Sequence, residues 1–326
     1  MVLNELPPSL IRKLTRQQYH LVGRHSAVKP CNWLRESLVR NRQCYKNLFY
    51  GIASHRCVQC TAAVVFCSQR CVFCWRMMPG EAGIDWNQLA FDSWDEPKFI
   101  VDGLLKEQQR LVIGYGGNPV VSKQKFEEAQ KPKHFALSLS GENTIYPFLP
   151  ELIKEIHGRG MTTFLVTNGT NPQALERLAD EGALPMQLYV SLCAADEATY
   201  RKTNAPLIKD GWKKLNETLE LFASLKTRRV VRLTLCKNLN LKDASGYARL
   251  IEKTGAEFVE PKAYMPVGFS RERLGPAFQP THDEIMSFAR ELAAESGYVL
   301  AGEQKTSRVA LLCRDAGAEK NRLIKR

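Results

Sequence analysis

The 326 residues contain no run of eighteen or more apolar side chains, so no segment reads as a membrane-spanning helix. The amino terminus, MVLNELPPSLIRKL, lacks the charged start, apolar stretch and small-residue cleavage site of a secretion leader. The expectation is a cytoplasmic protein. No internal repeat or low-complexity tract is present, so nothing suggests a repeat architecture. Histidine is scarce, at six residues, and His25, His55, His134 and His282 show no spacing that demands a metal. They are expected to be structural or rim residues. Negative charge is also short, with 34 Asp and Glu against 46 Lys and Arg for a net charge of +12. That surplus points to a polyanionic partner.

The cationic residues are concentrated. Residues 1–60 hold ten (12, 13, 16, 24, 29, 35, 40, 42, 46 and 56) against Glu5 and Glu36. Residues 201–237 hold ten more against Asp210, Glu217 and Glu220. Both stretches carry aromatic rings that can stack on bases, and Trp33, Tyr45 and Trp75 are candidates, each equally able to serve in the core. Nucleic acid is the expected partner.

Cysteine is plentiful and lopsided. Seven of ten, at 31, 44, 57, 60, 67, 71 and 74, lie within 44 residues. In a large cytoplasmic chain such a group suggests metal binding or catalysis rather than disulfides. Cys193, Cys236 and Cys313 lie in or end apolar runs and read as small core residues.

The fold expected is α/β. The apolar run AAVVF (62–66) reads as a buried strand, and further strands are expected at 134–140, 162–167, 187–193, 230–236 and 257–263. Helices fall between them at about 144–158, 172–182, 211–226 and 241–254, with a longer helical pattern over 84–112 and a glycine loop at 114–118. Helical spacing also runs over 8–20 and 32–50. Six β/α units make a partial (β/α)6 TIM-like barrel. Residues 1–61 would be an N-terminal extension carrying cysteines, 62–265 the barrel, and 266–326 a C-terminal helix (281–296) and hairpin (298–313). Ligands of parallel α/β folds bind at the carboxyl ends of strands. Those ends carry Ser140-Gly141-Glu142, Thr167-Asn168-Gly169, Ser191, Asn238, Lys262 and Tyr264.

Cys67, Cys71 and Cys74 follow the first of these strands. Three thiolates so spaced can hold three irons of a cubane cluster and leave the fourth open to a chelating substrate. Structural zinc wants four ligands and favours C-x2-C pairs. The segment CSQRCVFC, with Phe73 before the last cysteine, resembles the C-x3-C-x-aromatic-C signature of the radical S-adenosylmethionine superfamily. The resemblance implies a [4Fe–4S] cluster whose open iron binds S-adenosylmethionine and whose electron releases a 5′-deoxyadenosyl radical. Ser140, Gly141 and Glu142 resemble that superfamily's Gly-Gly-Glu element for the ammonium group. Thr167, Asn168, Ser191 and Asn238 resemble its contacts to ribose and methionine carboxylate.

Cys31, Cys44 and Cys57 stand twelve residues apart each time. Spacing alone allows a second cluster or a zinc site that includes Cys60, since Cys57 and Cys60 form a good zinc pair. This triple together with HSAVKPCNWLRES, RQCYKNLFYG, SHRCVQC and CSQRCVFCWR resembles the tRNA 4-demethylwyosine synthase family. That resemblance implies two [4Fe–4S] clusters, the second on Cys31, Cys44 and Cys57. It implies N1-methylguanosine in the anticodon loop of phenylalanine tRNA and pyruvate as substrates. Lys46 is the candidate for a Schiff base with pyruvate, or else one more phosphate-facing cation. Cys60 departs from the family pattern, as a buried thiol or a fourth ligand. No flavodoxin-like domain precedes the cysteines, as in the archaeal stand-alone form, so an external donor such as a flavodoxin or ferredoxin is expected, with a monomeric chain. Two rivals are another radical enzyme with an auxiliary cluster, acting on RNA or a peptide, and a zinc-stabilised RNA-binding protein.

Overall fold

The computed structural model describes residues 5–88 and 91–324; residues 1–4, 89–90 and 325–326 lie outside the description, as do the parts of the expected domains and of the 84–112 helix that fall on them. The described chain groups into two compact units. One comprises Met1–Cys67, Met78–Val166 and Asp180–Met186, and the other Ser68–Met77, Thr167–Ala179 and Gln187–Arg326.

In the first unit a hairpin of β1 (His20–Val22) and β2 (Ser26–Val28) pairs antiparallel onto β3 (Cys57–Thr61). β3 then runs parallel to β4 (His134–Leu137), and β4 parallel to β5 (Thr162–Thr167). The helices Pro97–Ile113 and Lys123–Ala129 lie between β3 and β4 in the chain, and Leu149–Gly158 between β4 and β5. In the second unit β6 (Gln187–Ser191), β7 (Arg228–Leu235) and β8 (Phe258–Ala263) are parallel. The hairpin of β9 (Val299–Gln304) and β10 (Val309–Cys313) adds antiparallel to β8 through β10. It therefore joins the sheet of this unit through β10. Helix His282–Ser296 opens with a capping box between Thr281 and Glu284.

The α/β class stands, with three parallel strands described in each unit, but the first strand is misplaced by the sequence reading. It is Cys57–Thr61, not 62–66, so its residues belong to the segment assigned to the extension. β3 alternates half-buried Cys57 and Gln59 with buried Val58 and Cys60, the two-residue period of a strand. Ala62–Phe66 is wholly buried yet irregular, and Val65 takes a left-handed φ of 74°, rare for a β-branched residue. The long helix starts only at Pro97, which suits a first helical position. Gly114–Gly117 is a short 3-10 turn rather than an open loop.

Two buried histidines brace the first unit. His25 is fully buried; its Nδ1–H donates to the Ala62 carbonyl at 2.6 Å and its Nε2 accepts from the Asp95 amide at 2.8 Å, so the ring is neutral. Burial holds its pKa below the usual value. His134 contacts Thr162 Oγ1 at 2.7 Å, and burial, then Arg56 and Lys133, pull it down to about 4. Both rings bind protons more readily unfolded. The stability they supply is complete above about pH 6.5 and is lost as pH falls toward 4. Denaturation midpoints should decline across that window, with His134 alone contributing a loss of about 3 kcal/mol; a midpoint unchanged between neutral pH and the lower end would contradict this.

Candidate active site

The segment that delivers Cys67 is held by the end of β4. Thr61 Oγ1 donates to the Ser140 carbonyl at 2.6 Å, the Ala62 amide to Asn143 Oδ1 at 2.9 Å, the Val65 amide to Ser140 Oγ at 3.3 Å, and the Glu142 amide to the Phe66 carbonyl at 2.7 Å. Gly141 has a φ of 69°, and a Cβ there would collide with the Ala63 carbonyl oxygen. No other residue fits that close approach. Glu142 is buried, and its Oε1 accepts from the Thr144 amide at 3.1 Å and hydroxyl at 2.8 Å. The Ser140-Gly141-Glu142 element thus stands where the sequence reading put it, but Ser140 and Gly141 act on the cysteine segment itself.

Residues 68–77 carry Cys71, Phe73 and Cys74. They are fastened by side chains that the sequence did not single out. Gln69 is buried, donates to Tyr200 OH at 2.8 Å and accepts from Asn204 Nδ2 at 3.1 Å; the Cys71 thiol donates to its Oε1 at 3.2 Å. The Val72 amide donates to the Thr203 carbonyl at 2.9 Å. Asn168 donates to Ser68 Oγ at 2.9 Å and accepts from the Thr170 amide and hydroxyl, so it ties the 167–170 turn to this loop. Thr167 Oγ1 accepts from the Gly169 amide, closing a turn. Ser191, at the end of β6, is half-buried, and Asn238 is exposed with a left-handed φ of 60°. Asn240, also missed, is buried and binds the Cys236 amide, the Cys193 carbonyl and the Thr234 carbonyl, fixing the ends of β6 and β7. Lys262 donates to the Ser307 carbonyl and Tyr264 to the Ser270 carbonyl.

The upstream cysteines occupy matching places. Cys31 is the N-cap of helix Asn32–Arg40 and Cys44 of helix Tyr45–Tyr50; in both the backbone is extended and the side chain makes no capping bond. A helix N-terminus favours a thiolate. Cys57 begins β3, and burial raises its thiol, with Cys31, Lys46 and Cys44 as its electrostatic neighbours. The charges that act on the Cys57 thiol thus come from both N-cap cysteines and from one lysine. Lys46 is half-buried, its Nζ 5.5 Å from the Phe164 ring centroid. Leu34, Leu38, Val112 and Ala129 form the apolar support against which Cys31 rests.

Exposure sorts the ten cysteines. Cys31, Cys44, Cys57, Cys67, Cys71 and Cys74 are partly exposed, whereas Cys60, Cys193, Cys236 and Cys313 are buried. Strand alternation turns Cys60 away from Cys57, which fits a buried thiol rather than a fourth ligand. Among the described residues no three His, Cys, Asp or Glu side chains gather tightly enough to hold one metal ion. A cubane cluster asks for a different arrangement, with one thiolate on each of three irons.

The charge reading needs a partial correction. Arg228 donates to the Asn321 and Arg322 carbonyls, Arg229 pairs with Glu257, and Arg232 with the buried Glu260 at 3.0 Å. These three cations belong to the sheet. Arg12, Lys13, Arg16 and Arg35 are exposed, as is Trp75, with the Arg76 guanidinium 4.8 Å from its ring centroid. Tyr45 is buried and Trp33 half-buried, so Tyr45 is core. Among the described residues no helix is long and apolar enough to cross a membrane.

Residues 63–251 match the radical SAM superfamily and residues 253–314 the wyosine base formation family. An S-adenosyl-L-methionine-dependent tRNA 4-demethylwyosine synthase of Pyrococcus abyssi is 49% identical over 311 residues, covering 95% of this chain and 90% of that protein. A solved structure of TYW1 with a lysine–pyruvate adduct bound superposes with a TM-score of 0.86 at 38% identity, covering 98% of this chain and 99% of that one. A crystal structure of an archaeal TYW1 gives 0.77 at 35% identity and covers 98% of each chain.

Proposed function

The chain belongs to the radical S-adenosylmethionine family of tRNA 4-demethylwyosine synthases, and from that premise we propose that it joins two carbons of pyruvate to N1-methylguanosine beside the anticodon of phenylalanine tRNA, closing the third ring of 4-demethylwyosine. Membership makes it an enzyme of tRNA modification that uses S-adenosylmethionine and an iron–sulfur cluster, and removes the zinc-stabilised RNA-binding rival. In the proposed arrangement Cys67, Cys71 and Cys74 hold that cluster, with Phe73, Ser140, Gly141, Glu142, Thr167, Asn168, Ser191 and Asn238 around the S-adenosylmethionine. When bound, the reduced cluster supplies the electron that breaks the sulfonium bond and yields the hydrogen-abstracting adenosyl radical.

The observation that carries the pyruvate half is that Lys46, with Cys31 and Cys44, supplies the charges that act on the Cys57 thiol. Those thiolates would hold a second [4Fe–4S] cluster, and the Lys46 amine would condense with the pyruvate ketone, releasing water. The solved relative with a lysine–pyruvate adduct supports the same chemistry. Exposed Arg12, Lys13, Arg16 and Arg35 offer phosphate contacts, and an anticodon-loop base costs only a few kcal/mol to splay out. A flavodoxin or ferredoxin would supply electrons, in the cytoplasm where free thiols persist.

The test is anaerobic incubation with S-adenosylmethionine, reductant, uniformly 13C-labelled pyruvate and tRNA bearing N1-methylguanosine. Nucleoside mass spectrometry should find a tricyclic base that has gained two heavy carbons. A base with no heavy carbon, or unchanged N1-methylguanosine, rules out the proposed reaction.

A further inference from the structure

Three consecutive carbonyls at the end of the Cys67–Cys74 motif are all bonded by one short segment. Arg273 donates through Nη1 to the Cys74 carbonyl and through Nη2 to the Arg76 carbonyl at 3.1 Å. Between them the Phe269 amide donates to the Trp75 carbonyl at 3.3 Å. Gly268, at a φ of 56°, lies so close to Trp75 that a Cβ would collide with the same carbonyl oxygen. The guanidinium rests 5.5 Å from the Phe269 ring centroid. The segment is anchored in turn: buried Tyr264, just past β8, donates to the Ser270 carbonyl at 2.9 Å, and Ser270 Oγ donates to the Val267 carbonyl at 2.8 Å. These residues fall in the part that matches the wyosine base formation family, outside the radical SAM match.

We propose that Arg273 is a positioning residue for the cluster-holding loop, fixing the peptides that follow Cys74 and keeping a permanent positive charge beside that ligand. The inference rests on Cys74 being a cluster ligand. A guanidinium cannot shed its proton, and its planar fork reaches two carbonyls at once, whereas a lysine offers the charge without the fork. Net charge and hydrogen bonding around a cluster set its potential, and a fixed cation favours the reduced, more negative state.

The experiment compares wild type, Arg273→Gln, Arg273→Lys and the control Arg271→Gln, all reconstituted anaerobically with iron and sulfide. Among the described residues the Arg271 guanidinium bonds within the segment, to the Pro266 carbonyl at 2.7 Å. Redox titration followed by electron paramagnetic resonance is the readout, with 5′-deoxyadenosine release beside it. At the poise that half-reduces the wild-type cluster, Arg273→Gln should show a reduced fraction at least about threefold lower and proportionally slower release. Arg273→Lys should recover the potential but keep broadened resonance lines, and Arg271→Gln should match wild type. Arg273→Gln titrating like wild type overturns the proposal, as does an equal shift in Arg271→Gln, which would mark general loosening. Should Arg273→Gln fail to retain its cluster, Arg273→Lys decides: restored potential with broadened lines supports the assignment, and a spectrum identical to wild type overturns it. A wild type without any cubane signal would overturn the reading of Cys74 itself.

Discussion

Lys46→Met is expected to lower tricyclic-base formation by at least about a hundredfold while 5′-deoxyadenosine is still released. The two outcomes separate because the proposal assigns Lys46 to the site of Cys31, Cys44 and Cys57, whereas the S-adenosylmethionine reaction is assigned to Cys67, Cys71 and Cys74. Lys46→Arg sharpens the test. Arginine keeps the positive charge that a phosphate contact needs, but its guanidinium is not a usable amine nucleophile. It should be as inactive as the methionine variant, and borohydride reduction in the presence of pyruvate should tag Lys46 in wild type alone. An active Lys46→Arg would make the residue a phosphate-facing cation and remove the Schiff base.

Cys71→Ala should abolish S-adenosylmethionine cleavage altogether, with no 5′-deoxyadenosine above background. One thiolate fewer leaves two ligands for the radical cluster, too few to hold it with a single open iron. The lesion is chemical rather than architectural. Cys71 is partly exposed, and the loop is held by Gln69, Asn168 and the Val72 amide, none of which the substitution removes. The upstream cysteines are untouched, so the variant should keep about half of the wild-type iron. A variant that still releases 5′-deoxyadenosine would refute the ligand assignment.

The sequence carried the chemistry further than the geometry. Six cysteines could be picked out by spacing and resemblance, and they are the six that are partly exposed. The strand boundary went wrong for a physical reason. Ala62–Phe66 is apolar because it is buried, not because it is extended, and its irregular backbone is held by His25, Ser140 and Asn143 from distant parts of the chain. True β3 looks polar because one face carries Cys57 and Gln59. Gln69, Asn240 and Arg273 left no local signal, since each acts by bonding backbone or side-chain groups that are adjacent only after folding. A charge count likewise could not tell Arg228, Arg229 and Arg232, spent within the sheet, from the exposed Arg12, Lys13 and Arg16.

The most direct measurement is an iron and sulfide count on anaerobically reconstituted protein, joined to its Mössbauer spectrum. Two open cubanes on the six accessible thiols require about eight irons per chain with cubane parameters throughout. About four irons would leave Cys31, Cys44 and Cys57 without a cluster, and zinc in place of iron would contradict both assignments.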